Sequence, residues 1–111
     1  MASFGSFIKN VTTAGTAVRL KATHFPVATF IIQPKVGNNA NTSRNTGKVW
    51  VGGSDVTNDG TIGMCLGIPA DNVAPERMEF HPTGANGYDL MDIWINSHFD
   101  GEGVEVIWTQ L

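Results

Sequence analysis

Cysteine is almost absent from this chain. Cys65 is the only one, so an internal disulfide is excluded. It lies in the apolar segment 62–68, with no Lys, Arg or His near it in the sequence. A catalytic thiolate needs an electropositive and partly exposed setting. The sequence therefore predicts that Cys65 is a small hydrophobic core residue and not a nucleophile.

Charge is also scarce. Asp, Glu, Lys and Arg make up 15% of the 111 residues, compared with about 25% in an average soluble domain. Either the many Asn, Thr and Gly residues fill the surface of a monomer, or a partner covers part of that surface, and we favour the partner. The net charge is −3 and the seven basic residues are scattered singly. Binding to nucleic acid requires clustered basic residues, so we expect no such role.

Long apolar runs are missing as well. No stretch approaches the ~20 apolar residues that a membrane-spanning helix needs. The N-terminus lacks the basic and apolar regions of a signal peptide. We therefore expect no membrane association, and we expect the protein to remain where it is made or to leave by cell lysis.

Turn residues alternate with short apolar stretches along the rest of the chain. Asn45-Thr46-Gly47 is typical of a turn, because Asn and Gly tolerate positive φ. In the strand that follows, Val49 and Val51 share one face. The run 27–33 is nearly all apolar, which predicts a central strand covered on both faces. No window of useful length has helical periodicity. The pattern predicts an all-β fold, a single compact β-sandwich, jelly-roll or squat barrel of about eight short strands.

The N-terminal residues are small and polar apart from Phe4. We predict a flexible arm over residues 1–6 and a single β domain over residues 7–111. Phe4 would be the anchor with which this arm contacts a partner; alternatively, the segment is an ordinary frayed terminus.

Few polar residues stand in a pattern that could support chemistry. His98, Asp100 and Glu102 would share a face if extended and could then bind a metal, but the glycines between them indicate exposed turn residues. Segment 55–60 only loosely resembles a calcium loop. No nucleophile motif links the three histidines to a serine. We therefore expect no catalytic residues, no metal and no cofactor, and we expect that the protein is not an enzyme.

Three tryptophans lie on predicted strands. Trp108 shares a face with valines and is expected in the core. Trp50 shares a face with Lys48, and Trp94 lies among polar residues. Either indole could be an interface anchor, because Trp is enriched at binding hot spots. Both could equally belong to a second buried face. The candidate interface residues are Phe4, Trp50 and Trp94.

Four segments of the chain resemble small virion proteins of tailed bacteriophages. They are VTTAGTAVRL (11–20), NTGKVWVG (45–52), DLMDIWI (89–95) and GEGVEV (101–106). Together they cover much of residues 11–106, and they record strand and turn patterns without recording a reaction. The resemblance implies a head decoration, or cement, protein. Such a protein binds the major capsid protein on the outside of the assembled head as an oligomer and reinforces the shell.

The resemblance also implies location and assembly. The protein would be made in the host cytoplasm and would reside on the capsid exterior, as a homotrimer or alternatively a dimer. Two other functions fit the same strands. One is a carbohydrate-binding β-sandwich module, with Trp50 and Trp94 lining an open groove. The other is a tail or baseplate component of the same virion.

Overall fold

The computed structural model describes residues 3–37, 44–70, 73–81 and 87–111. Within these residues the chain forms nine strands and one short 3-10 helix, Leu90–Asp92. The strands are β1 (Phe4–Asn10), β2 (Val18–Arg19), β3 (Pro26–Pro34), β4 (Val49–Gly52), β5 (Met64–Leu66), β6 (Met78–Phe80), β7 (Tyr88–Asp89), β8 (Trp94–Ser97) and β9 (Gly103–Gln110).

The strands assemble into two antiparallel sheets. Sheet A has the order β1-β9-β3-β6, with β7 also paired to β3, and sheet B has the order β2-β8-β4-β5. The two sheets pack their inner faces together, which confirms the predicted all-β sandwich.

One hydrophobic core lies between the sheets. Alternate residues of each strand point inward, as the period of two requires. Sheet A supplies Phe30, Ile32, Val104 and Val106, and sheet B supplies Val49, Val51, Leu66 and Ile95, all at most 6% exposed. Full burial of each such side chain contributes about 1.5–3 kcal/mol.

Strand β3 lies inside sheet A, but the prediction that both its faces are covered is wrong. Phe30 and Ile32 are buried, whereas Ile31 and Gln33 on the other face are half-buried. Sheet B covers only the inner face of sheet A, so an apolar run in the sequence did not require cover on both faces.

The N-terminal segment forms part of sheet A. Strand β1 begins at Phe4 and pairs with β9 from Phe4–Thr109 to Asn10–Gly103. The backbone N–H of Gln110 also donates to the Ser3 carbonyl at 2.7 Å. The predicted arm boundary is therefore wrong for residues 4–6, while residues 1 and 2 lie outside the described part. Sheet hydrogen bonds hold this polar segment, and they leave no mark in the local composition.

A glycine at position 5 leaves room for the side chain of Trp108. The indole of Trp108 lies against Gly5, where an added Cβ would stand 2.6 Å from the ring. Trp108 is half-buried and meets Phe25 edge-to-face at 5.1 Å between ring centroids. The core position predicted for Trp108 is thus found at the rim of the core.

Two of the turn motifs that the sequence singled out bind each other. The Asn45 side chain donates to the Gly103 carbonyl at 2.7 Å and accepts from the Gly103 N–H at 3.1 Å. The Glu102 carboxylate accepts from the Thr46 N–H at 2.7 Å, the Thr46 hydroxyl at 2.8 Å and the Gly47 N–H at 2.9 Å. These contacts join the turn before β4 to the turn before β9, so both motifs have a structural role.

Candidate interaction surfaces

The outer face of sheet A is built from alternate residues of its strands. Register places Ser6, Ile107, Ile31 and Glu79 side by side across four strands. The neighbouring rows are Phe4, Thr109 and Thr29 on one side, and Ile8, Glu105 and Gln33 on the other.

Four of the polar side chains on this face form two hydrogen-bonded pairs. The hydroxyls of Thr29 and Thr109 are 2.6 Å apart, and the Gln33 amide donates to Glu105 at 3.1 Å. These pairs lie in the rows on either side of Ile31 and Ile107. The row between them combines Ile31 and Ile107 with Ser6 and Glu79, which take no part in these two pairs.

The apolar side chains of this face are strongly exposed. Phe4 is 73% exposed, Ile8 57% and Ile107 44%. Beside them an open groove of about 590 Å³ is lined by both apolar and polar residues. The lining residues are Ser6, Phe7, Ile8, Ile31, Gln33, Glu105, Val106 and Ile107. Exposed apolar side chains grouped on one face and rimmed by polar residues are a feature of interaction surfaces.

Phe4 is therefore exposed, as an anchor must be, but it is held on a strand and not on a flexible arm. The other members of the patch, Ile8, Ile31 and Ile107, were missed from the sequence. The alternation of Val104, Val106 and Trp108 already placed Ile107 on the opposite face of its strand, so a signal was present. Which face would remain uncovered could not be read from that signal.

Trp50 lies on the outer face of sheet B but is only 7% exposed. The segment 53–63 covers it: a Cβ added at Gly60 would lie 3.4 Å from the indole nitrogen, and one at Gly63 the same 3.4 Å from the Trp50 Cβ. Its cross-strand neighbour Asn96 is 1% exposed and donates to the Val56 carbonyl at 3.0 Å. Trp50 is therefore buried on the outer side of sheet B, as the alternative to an interface anchor required.

Trp94 lies on the same face as Trp50, opposite Gly52. It is half-buried, and the Arg19 guanidinium stands 5.0 Å from its ring centre, a cation–π contact. The open groove of two tryptophans is not formed, because segment 53–63 covers Trp50. Phe4 lies on sheet A, so the three predicted interface residues do not come together.

Cys65 is exposed, so the prediction of a core thiol is wrong. Strand β5 is an edge strand of three residues that pairs only with β4. Its Leu66 is buried, whereas Met64 is 68% exposed. An apolar run in the sequence thus ends at the rim of the sandwich, where only one of its side chains reaches the core.

The residues considered for metal binding serve separate structural roles. The His98 ring stacks on Phe99 at 4.4 Å between centroids, and Asp100 accepts from the Ala14 N–H at 2.7 Å. Glu102 was expected to be exposed but is buried at 9% exposure against the turn at Thr46. Among the described residues, no three His, Cys, Asp or Glu side chains are grouped to hold a metal.

The calcium-like segment 55–60 is a turn closed by its own side chains. Asp59 accepts from the Thr61 N–H at 2.9 Å. Hydrogen bonds from Thr61 and Thr57 lower the pKa of the Asp59 carboxyl. Both observations are accounted for by turn geometry alone.

Asp89 organises the start of the 3-10 helix. Its carboxylate accepts from the Phe25 N–H at 2.9 Å, the Met91 N–H at 3.0 Å and the His24 ring at 2.6 Å. The Phe25 N–H, followed by the His24 ring and the Met91 N–H, holds the pKa of Asp89 down to about 2. This aspartate of the DLMDIWI segment is a structural cap.

Comparison with known proteins does not assign a family. No protein-family model, curated protein or solved structure matches this chain. In the described ranges, no helix is long and apolar enough to cross a membrane. The phage resemblance stays a prediction.

Proposed function

We propose that this protein is a structural binding protein that docks as an oligomer on the outside of a tailed-bacteriophage head and stabilises the shell. The observation that carries the proposal is the outer face of sheet A. Its exposed apolar side chains lie on paired strands, and four of its polar side chains, Thr29, Thr109, Gln33 and Glu105, bind one another. A surface of this kind suits docking, and the sequence resemblance supplies the capsid as the surface it docks to.

Stabilisation of the shell would follow from buried area and from copy number. Each Å² of apolar surface removed from water contributes roughly 25 cal/mol. The chain is a plate of 37 × 31 × 19 Å, so a broad face is available for its size. A capsid presents many equivalent sites, and an oligomer that engages several of them dissociates far more slowly than one copy.

The polar groups of the chain support a binding role over a catalytic one. Glu102, Asp89 and Asn96 are each occupied in hydrogen bonds that hold turns and loops. A catalytic acid, base or nucleophile would instead face a substrate cavity. The groove on sheet A is lined mainly by isoleucine and by polar side chains that pair with each other.

The test is binding to purified, undecorated capsids. We expect Ile107→Glu and Phe4→Glu to reduce capsid occupancy at least tenfold, because each places a charge in the apolar patch. Ile62→Glu is the matched control, since Ile62 is 42% exposed outside this face. Failure of the wild-type protein to bind, or equal losses in all three variants, would overturn the proposal.

No feature of the structure specifically favours the carbohydrate-binding module or the tail component. The carbohydrate-binding module required two tryptophans in an open groove, and Trp50 is covered. A tail or baseplate component would use the same apolar face, so purified tails belong in the same assay. Binding to tails but not to heads would relocate the protein within the virion.

A further inference from the structure

Among the described residues, strand β1 is an edge of sheet A that pairs only with β9. The Gln110 N–H donates to the Ser3 carbonyl at 2.7 Å, and the Val11 N–H donates to the Glu102 carbonyl at 2.8 Å. In an antiparallel pair, hydrogen-bonded positions alternate with positions whose backbone groups point away. The odd-numbered residues of β1 therefore bond to β9. The even-numbered ones, Phe4, Ser6, Ile8 and Asn10, direct their N–H and C=O groups outward.

This edge differs from the other edges in length. β1 has seven residues and no proline, and it pairs with β9 in an unbroken register. The other strands at sheet edges in the described part have only two or three residues. Short edges, prolines and bulges are the usual protection against pairing with another chain. Strand β1 has none of these three, although it carries one charged residue, Lys9, and it exposes Phe4 and Ile8.

We propose that a second copy of this chain pairs with the edge, β1 against β1, antiparallel about a two-fold axis at Ser6. In this register Phe4 of one copy lies opposite Ile8 of the other at both ends. Aromatic and β-branched residues are favourable cross-strand partners. A register centred on Phe7 would instead place Phe4 opposite Asn10.

Charge is compatible with this pairing. Lys9 is the only charged residue of β1. In the proposed register the two copies of Lys9 are separated by six residue positions, or about 20 Å along the strand. This exceeds the screening length of about 8 Å at physiological salt, so the two lysines do not repel each other appreciably.

A second copy fits the edge better than a mobile segment of another protein. Its β1 is already extended on a sheet, so pairing costs little ordering entropy. The product is one continuous sheet, β6-β3-β9-β1 followed by the same strands of the second copy in reverse, with each β7 still paired to its β3. The two outer faces then lie side by side on the same face of that sheet. The inference rests on the proposed function, because such a dimer would offer the capsid twice the docking area.

The test is sedimentation of the purified protein without capsids, over roughly micromolar to hundreds of micromolar concentrations. We expect a species of twice the 11.9 kDa chain mass at the upper concentrations. Ser6→Lys places two ammonium groups opposite each other and should weaken association at least tenfold. Ile107→Lys adds the same charge one strand further in and should leave the dimer intact.

Cross-linking tests the register independently of the charge variants. Ser6→Cys in a Cys65→Ser background should form a disulfide-linked dimer on mild oxidation, whereas Thr109→Cys in the same background should not. A wild-type protein that is monomeric throughout, or a Ser6→Cys variant that stays unlinked, would overturn the pairing. The two proposals fail separately: an oligomer that saturates capsids without forming the β1 pair overturns only the pairing, and a β1-paired dimer that ignores capsids overturns only the docking.

Discussion

At the scale of single residues, three buried polar side chains hold the turns at one end of the sandwich. Glu102 and Asn45 are both buried, and their partners are backbone groups of the opposite turn together with the Thr46 hydroxyl. Lys35 is 6% exposed and donates to the Asn10 side chain at 2.7 Å and the Gly101 carbonyl at 3.0 Å. Buried polar atoms are costly unless they are paired, so these residues constrain the end of the sandwich to one arrangement.

Removal of the Glu102 carboxylate should destabilise the fold. Glu102→Ala leaves the Thr46 and Gly47 N–H groups without their acceptor. We expect the free energy of unfolding, measured in urea, to fall by about 3 kcal/mol. Glu79→Ala is the control, because Glu79 is exposed on β6, and it should change stability by less than about 0.5 kcal/mol. Equal effects of the two substitutions would contradict the role assigned to Glu102.

Asp89 should make stability depend on acid pH. Its pKa lies at about 2 in the folded protein, below the ordinary value of 3.8. A lowered carboxyl pKa stabilises the fold fully above the unfolded value, and the effect is lost as pH falls toward the folded value. We therefore expect the difference in Tm between wild type and Asp89→Asn to shrink as the pH falls from about 5 to about 2. A difference that is independent of pH over this interval would show that the carboxylate charge is not responsible.

At the scale of elements, the loop over sheet B decides what that sheet can bind. Segment 53–63 covers Trp50 and brings Val56 into the core side of the loop at 4% exposure. The cover depends on Gly63, whose φ is +118° and whose added Cβ would lie 2.6 Å from Val56. Only glycine adopts this φ readily and leaves room for Val56, so Gly63 allows the segment to pack over Trp50.

Gly63→Ala should lower the free energy of unfolding by about 3 kcal/mol, because it adds a steric clash to an unfavourable φ. Gly101→Ala is the matched control. It also has a positive φ, +76°, but nothing lies within 4 Å of its added Cβ, so it should cost only about 1 kcal/mol. Chemical denaturation of both variants measures the difference. Trp50 fluorescence should shift to longer wavelength only in Gly63→Ala, and equal costs for the two variants would remove the clash from the explanation.

At the scale of the whole molecule, the two sheets have different outer surfaces. The outer face of sheet A exposes the apolar side chains of Phe4, Ile8 and Ile107, whereas that of sheet B is covered in part by segment 53–63 and by Arg19. The chain carries a net charge of only −3. Docking would therefore be driven by apolar burial, with little contribution from long-range charge.

Capsid binding should accordingly be insensitive to salt. Between about 0.1 M and 1 M NaCl the screening length falls from roughly 10 Å to 3 Å. We expect the affinity for capsids, measured by co-sedimentation, to change less than about threefold over this range, since apolar contact is not screened. Loss of binding at high salt would indicate that charged side chains, and not the apolar face, make the main contact.

The sequence by itself determined the class of fold and the position of its turns. Glycine spacing excluded helices of useful length, and the alternation around Val49 and Val51 placed the core face of β4 correctly. These features depend on local backbone preferences and on the period of side chains along a strand. Local information of this kind is present in a single chain.

Only the tertiary structure decided which surfaces are free. Phe4 lies in a strand because it pairs with Thr109 of β9, which is far away in the sequence. Trp50 was buried by a loop and Cys65 was exposed by its position on an edge strand. Each outcome depends on which strands become neighbours and on what then covers them. Strand neighbours are set by long-range pairing and packing, which neither the composition nor the spacing of a segment records.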